Sequence, residues 1–260
     1  MRISIIGSGN VATHLAAALK NAGHRIVQVY SRVLQNAAVL ANHVKAEATD
    51  NLEHVKPDAD IFIIAVNDDA IGEVAWALAK HQKLMVHTSG ATGLQKLLAY
   101  APDAGVFYPL QTFSKNRTVD FSTVPLCIEG SSAGVTGTLT GLADTISKKV
   151  YVINSDQRRV LHLAAVFACN FPNYLYHIAQ TLLSQHQLAF DLLRPLIDET
   201  AGKVQEQLPA NVQTGPAVRN DVSTMNAHLQ MLDGQHEWQQ VYELLSQGII
   251  KMDKDGQADK

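Results

Sequence analysis

The chain opens with a segment that few folds accommodate: Arg2-Ile3-Ser4-Ile5-Ile6-Gly7-Ser8-Gly9-Asn10-Val11-Ala12. A short apolar run, two glycines one residue apart and the helical spacing of Val11, Leu15, Ala18 and Leu19 read as a buried strand, a tight turn and a helix start. Gly7 allows the turn, and Gly9 lets backbone approach a ligand with no Cβ between them. Ala12 keeps the helix close against the sheet. The free N–H groups and positive dipole end of such a helix suit a pyrophosphate. Small-residue turns are common, but this one follows a strand and opens a helix. It marks a dinucleotide site built from Gly7, Ser8, Gly9, Asn10, Val11 and Ala12.

A second strand, 25–30, ends in Ser31-Arg32, roughly twenty residues after the glycines, where an NAD site usually carries Asp or Glu. A carboxylate there would repel a 2′-phosphate, whereas a hydroxyl and a guanidinium would hold it. Such a charge-assisted contact is worth about 1.5–3 kcal/mol, or roughly ten- to 150-fold in preference. The residues therefore predict NADP as cofactor, the alternative being that Arg32 is only a solvated residue at a strand end.

At 260 residues the chain holds one large domain or two modest ones. With 47% hydrophobic and 17% charged residues it has ample material for a core, and its net charge of −3 gives no electrostatic case for nucleic acid or an acidic membrane. No apolar run approaches the length of a membrane span. Gly7-Ser8-Gly9-Asn10 interrupts the N-terminal apolar stretch, which reads as a strand rather than a secretion signal. Cys127 and Cys169, far apart and outside any C-x-x-C, predict buried thiols in a reducing cytoplasm. The eleven histidines form no H-E-x-x-H, no H-x-H and no cluster with cysteine, so no metal is expected.

Through the first 150 residues, apolar strands at 44–48, 61–66, 83–87, 104–108, 124–128 and 150–153 alternate with helical stretches such as 69–80, 93–99 and 133–148. Strands that are apolar throughout and separated by helices predict a mostly parallel α/β sheet covered on both faces. Ser131-Ser132 offers a cap for the helix at 133. Past Ser155 helices take over, with Asp156 as N-cap of a long helix, 157–187, that Pro172 should kink. Further helices are expected at 190–207, at 222–232 behind Asp221, and at 237–252, before a polar, frayed tail at 253–260. This predicts a nucleotide domain, 1–154, and an all-α domain, 155–260. A substrate cleft should open between them at the carboxyl ends of the strands.

Three clusters would face that cleft. After the strand at 61–66 come Val66 and Asn67, expected beside the cofactor, and Asp68 or Asp69, expected to cap the next helix. The next strand ends in His87-Thr88-Ser89-Gly90. His87 would donate a proton as hydride arrives and Ser89 would meet substrate; alternatively His87 bonds a nearby carbonyl and Ser89 caps a helix. In Tyr108-Pro109-Leu110-Gln111-Thr112, Tyr108 and Gln111 would present polar groups to substrate or nicotinamide, unless the segment is an ordinary loop. Asn170 and Asn173, three apart on the long helix, would orient substrate or repair the backbone bonds freed by Pro172, and His162 roughly shares their face. In the loop 214–221, Arg219 would clamp an anionic substrate or contact Asp221, with His228 two turns further on.

The ordered set Gly7–Ala12, Tyr30-Ser31-Arg32, His87-Thr88-Ser89-Gly90, 108–113 and 214–219 resembles a bacterial family with a Rossmann-like domain followed by a C-terminal domain of unknown function, whose members are labelled NADP oxidoreductases. The N-terminal half is also similar to pyrroline-5-carboxylate reductase, the deazaflavin-dependent NADP reductases and the β-hydroxyacid dehydrogenases. The resemblance implies an NADP-binding Rossmann domain and a helical domain that forms a homodimer; it names no substrate. The β-hydroxyacid dehydrogenases carry a catalytic lysine four residues before an asparagine in the first long helix of their second domain. Asn170 matches that asparagine, but Val166 stands at the lysine position, so their proton relay does not carry over. The candidate acids are then His87 and His162. The expected activity is hydride transfer between NADP(H) and a small polar carbonyl, hydroxyl or imine compound. The alternatives are a non-catalytic NADP(H) sensor and, less in keeping with Ser31-Arg32, methyl transfer from S-adenosylmethionine.

Overall fold

The computed structural model describes residues 1–258, with side chains through Met252. From the N-terminus run β1 (Arg2–Ile6), α1 (Asn10–Asn21), β2 (Arg25–Tyr30), α2 (Leu34–Val44), β3 (Glu47–Thr49) and β4 (Ile61–Ile64). There follow α3 (Ile71–Leu78), β5 (Leu84–His87), α4 (Gln95–Leu98), β6 (Ala104–Pro109), β7 (Leu126–Gly130), α5 (Ala133–Asp144) and β8 (Val150–Val152). The strands form one sheet in the order β3-β2-β1-β4-β5-β6-β7-β8, parallel except where β6 meets β7. Strand order reverses beside β1, because β2 pairs on one side of it and β4 on the other. That is where ligands of open α/β sheets bind.

The apolar strands are buried on both faces. In β4, Ile61 and Ile63 join Leu15, Leu19, Leu40 and Leu139 beneath α1, α2 and α5. Phe62 and Ile64 join Ile71, Leu78 and Leu97 beneath α3 and α4. The strand expected at 44–48 begins later, at Glu47, because α2 runs through Val44 and stops on Lys45 in the left-handed conformation at φ 58°.

The sheet ends at Val152, and α6 (Ser155–Ala165) follows. Its cap is Asn154 rather than Asp156. The Asn154 side chain accepts from Gln157 N at 2.9 Å, and Gln157 Oε1 accepts from Asn154 N at 3.0 Å. The single helix expected over 157–187 is divided by a π-helical turn, Val166–Asn170, before α7 (Phe171–Gln185). Pro172 has no N–H and its ring crowds the carbonyl four residues back, which the wider turn relieves. Cys169 lies in that turn and is exposed, so only Cys127 is the buried thiol expected of both.

The chain forms two compact units, Met1–Asn170 and Phe171–Lys260. The second holds α7, α8 (Arg194–Glu206), α9 (Pro209–Val212), α10 (Val222–Met231) and α11 (His236–Ala258). Asp221 caps α10 as expected, accepting from Thr224 N at 3.1 Å, and His228 Nδ1 pairs with the Tyr242 hydroxyl at 2.8 Å. The helix expected at 237–252 runs on through Ala258; the last two residues of the tail lie outside the described residues. Within this unit only Ala217 and Leu232 are buried among the described residues. No described helix is long and apolar enough to cross a membrane.

Candidate functional site

The glycine turn is shaped by its neighbours. Gly7 has φ +131°, and a Cβ there would stand 2.1 Å from the Ala65 carbonyl oxygen at the end of β4. Only glycine fits. Gly9 is different: it is exposed, and a Cβ would meet nothing within 4 Å, so the space beside it is free for a ligand. Gly9 is also the N-cap of α1, and no side chain caps that helix. Its first N–H groups are left to donate to an anion. Ala12 is buried against the sheet.

The Ser8 hydroxyl donates to the Ser31 hydroxyl at 2.8 Å, bringing the end of β2 to the glycine turn. Arg32 is exposed and forms no ion pair among the described residues. Asn10 turns its side chain elsewhere, donating to the Phe113 carbonyl at 2.9 Å, while His14 stacks on Phe113 with centroids 5.1 Å apart. What Asn10 offers a ligand is therefore its backbone. Val66 packs against the core on the α3 side, and Asn67 is exposed above the end of β4. An uncapped helix, an open glycine, a hydroxyl and an unpaired guanidinium are a donor set that fits a dinucleotide with an added phosphate. A groove of about 1150 Å³ also runs along the flank of α1, lined by His14, Leu40 and Arg117; it meets the glycine turn only at Ser8.

Neither aspartate after β4 caps α3, whose N-cap is Ala70. Asp68 instead accepts from the Ser89 hydroxyl at 2.8 Å. Ser89 Oγ also accepts from Thr92 N at 2.9 Å and Ala91 N at 3.1 Å, which holds the turn after β5.

His87 is fully buried. Its Nδ1 accepts from Ser89 N at 3.2 Å, which leaves the ring proton on Nε2, where no hydrogen bond of ordinary geometry reaches it. Burial, then the nearby Arg158 charge, push its pKa down to about 4, against weaker upward pulls from the Gly93 carbonyl, Asp68 and Glu129. A sealed, neutral imidazole does not reach a substrate. The expectation that His87 donates to one is corrected on that ground.

Tyr108, at the end of β6, is almost buried, and its hydroxyl lies 3.1 Å from Nδ1 of half-buried His162 on α6. Burial pushes the phenol up to about 12, with Cys127 adding to the rise and Arg158 opposing it. Gly90 makes the pairing possible, since a Cβ there would lie 2.7 Å from His162 Nδ1 and 2.8 Å from Tyr108 Cζ. Gln111 is exposed, and its Oε1 accepts from Thr112 N at 2.8 Å within its own loop. Asn170 is exposed at the end of the π-helical turn. Asn173 and Arg219 belong to the second unit and are exposed; Arg219 forms no ion pair with Asp221, which is taken up by the start of α10.

Sequence reasoning missed Arg158. Its fully buried guanidinium pairs with Glu129 of β7, donates to the Thr92 carbonyl at 2.6 Å and to Ser155 Oγ at 3.2 Å. Ser155 itself donates to Glu129 from its backbone N and its hydroxyl. The available signal was its i, i+3 and i+7 spacing from Leu161 and Ala165, which puts a lone charge on an inward face.

Fold and site together define a Rossmann-type NADP(H)-binding oxidoreductase with a C-terminal helical region. Residues 2–90 match the family model described as NADP oxidoreductase coenzyme F420-dependent, and residues 124–249 match Domain of unknown function (DUF2520). The chain is 46% identical to a Bacteroides fragilis protein provisionally named an NADP oxidoreductase, over 96% of this chain and 98% of that one, with a TM-score of 0.92. It belongs to that protein's family. The same fold recurs in a Thermotoga maritima protein at 21% identity, covering 97% of this chain and 99% of that one, TM-score 0.81. It recurs again in a Myxococcus stipitatus imine reductase solved with NADP+, at 14% identity, covering 98% and 95%, TM-score 0.73. None of the curated proteins compared with the chain matches it.

Proposed function

We propose that the protein is an NADP(H)-dependent reductase or dehydrogenase passing hydride between the nicotinamide and a small polar carbonyl, hydroxyl or imine compound. The single observation that carries this reading is the uncapped start of α1 at the open Gly9, joined through Ser8 and Ser31 to the unpaired Arg32. Gly7, Gly9, the first turn of α1 and Asn67 would hold the diphosphate and riboses, and Ser31 and Arg32 the 2′-phosphate. The family's NADP oxidoreductase name and the imine reductase's NADP+ complex support the same cofactor. The nicotinamide supplies the hydride, and the chain's own residues orient the reactants and move the proton. The test is fluorescence titration with NADPH and NADH, followed by NADPH consumption on glyoxylate, pyruvate, acetaldehyde and 1-pyrroline. Preference for NADPH with turnover is expected. Tight NADPH binding without turnover would favour the sensor.

A second copy of the chain is the proposed partner of the helical unit. Leu196, Leu208, Met231 and Leu244 are each more than half exposed there, and only Ala217 and Leu232 are buried among the described residues. A unit of this size with so little core of its own needs apolar cover, and closed two-fold pairing is the commonest source. Light scattering should give twice the mass of the 28.3 kDa chain; a monomer at micromolar concentration would refute the pairing.

A further inference from the structure

Resting on the hydride-transfer reading, we infer that His162 is the proton donor and acceptor of that reaction, held in its working tautomer by the Tyr108 hydroxyl. Tyr108 ends β6, which runs parallel to β5, so it stands on the same carboxyl edge of the sheet as the glycine turn, Asn67 and Ser89. The two rings meet edge to face, 6.1 Å between centroids, in the space that the missing Cβ of Gly90 leaves. In the proposed arrangement the Tyr108 O–H, kept protonated by burial, donates and Nδ1 accepts. The proton of a neutral His162 then sits on Nε2, since the bond at one ring nitrogen fixes what the other carries. Nothing among the described residues bonds to that Nε2, and the ring is only half-buried.

The helix that carries His162 is fixed from the other end. Arg158 is four residues earlier and on the same face of α6. Its guanidinium reaches β7 through Glu129 and the turn after β5 through the Thr92 carbonyl. With α6 pinned at Arg158, His162 is aimed one turn on, at Tyr108.

The proton count closes. As hydride reaches the carbonyl or imine carbon, the double-bond electrons move onto its oxygen or nitrogen. That atom takes the Nε2 proton, Nδ1 takes the proton of Tyr108, and the imidazole stays neutral. The tyrosinate, a weaker base than the alkoxide or amide anion it relieves, takes its proton back from Nδ1 while Nε2, on the open side of the ring, is reprotonated by water, which restores the starting tautomer. In the reverse direction the same transfers run backwards: with the proton of Tyr108 held on Nδ1, Nε2 is free to accept. Tyr108 is thus a positioning residue and His162 the catalytic one.

The test uses the full chain labelled with 15N-histidine, His162→Gln for assignment, and Tyr108→Phe. We expect the neutral His162 ring to carry its proton on Nε2 in the wild type and to mix tautomers in Tyr108→Phe. With NADPH and the four compounds above, His162→Gln should lose about 100-fold or more in kcat, and Tyr108→Phe less, both with NADPH affinity retained. A wild-type ring protonated on Nδ1, or wild-type turnover undiminished in His162→Gln, overturns the assignment alone. A wild type that binds NADPH and consumes none with any compound overturns the hydride-transfer reading and this assignment with it.

Discussion

Ser8 and Ser31 share a hydrogen bond of 2.8 Å between their hydroxyls, across the gap from the turn after β1 to the end of β2. The two halves of the proposed nucleotide site, the uncapped helix and the exposed Arg32, are therefore tied by side chains. A diphosphate seated on α1 would find Arg32 one residue beyond an anchored serine.

Replacing Arg32 with alanine should weaken NADPH by about ten- to 150-fold and leave NADH nearly unchanged, because only NADPH offers the charge that the guanidinium meets. Stability should not move, since Arg32 is exposed and outside every ion pair described. Parallel fluorescence titrations with both cofactors read the difference. Equal losses would assign the phosphate elsewhere.

The two glycines should respond in opposite ways. Gly7→Ala puts a Cβ 2.1 Å from the Ala65 carbonyl at φ +131°, so backbone must shift, at a cost of about 3 kcal/mol in urea unfolding. Gly9→Ala finds open space at φ −73° and loses only the preference of an N-cap for glycine over alanine, so stability should fall by about 1 kcal/mol or less. Its methyl group would occupy ligand space, however, so cofactor affinity should fall while the fold stays intact. A Gly9→Ala variant that binds NADPH normally would mean the diphosphate lies elsewhere.

The legible part of this protein was the part written locally. The strand, glycines and helix at the N-terminus lie within two turns of chain, and β4 announces itself as an unbroken apolar run. β3 starts later than the apolar pattern suggests, because nothing in the composition of 44–48 signals that Lys45 ends α2 in the left-handed region. The Asn-x-x-Gln spacing at 154–157 encodes the capping box, and the acid at 156 competes with it as a local cap signal. Tyr108 and His162 were each named, yet their pairing spans 54 residues and depends on the missing Cβ of Gly90. No local pattern encodes that contact. His87 illustrates the converse: its position at a strand end suggested reach, and only packing decides that the ring is sealed.

That sealed ring makes stability depend on pH. The folded pKa of His87 is lowered to about 4, so the unfolded chain takes up a proton near pH 6.5 that the folded chain refuses. The contribution is fully present above pH 6.5 and is lost as pH falls toward 4, by about 3 kcal/mol over the window. Urea midpoints at pH 7.5, 6 and 5 should fall accordingly, and His87→Gln should flatten the slope by close to one proton. An unchanged slope would mean that the ring protonates in place.

Arg158 should be the most costly single charge to remove from the first unit. Its guanidinium is fully buried, and Arg158→Met strands the mostly buried Glu129 carboxylate, which keeps only the bonds from Ser155. Losing one partner of such a pair costs about 3 kcal/mol or more, whereas replacing both by neutral groups recovers much of it. Arg158→Met should therefore unfold at clearly lower urea, and Arg158→Met combined with Glu129→Gln should regain a large part of that loss. Turnover should behave differently. In the double variant the start of α6 keeps the Ser155 bonds to position 129 and from Leu94 N, but it loses the guanidinium bridge one turn before His162, so the aim at Tyr108 loosens and kcat should stay low even as stability returns. A double variant with both stability and kcat restored would show that the ion pair holds the fold together without directing the proton, and the role given to Arg158 in placing His162 would fall.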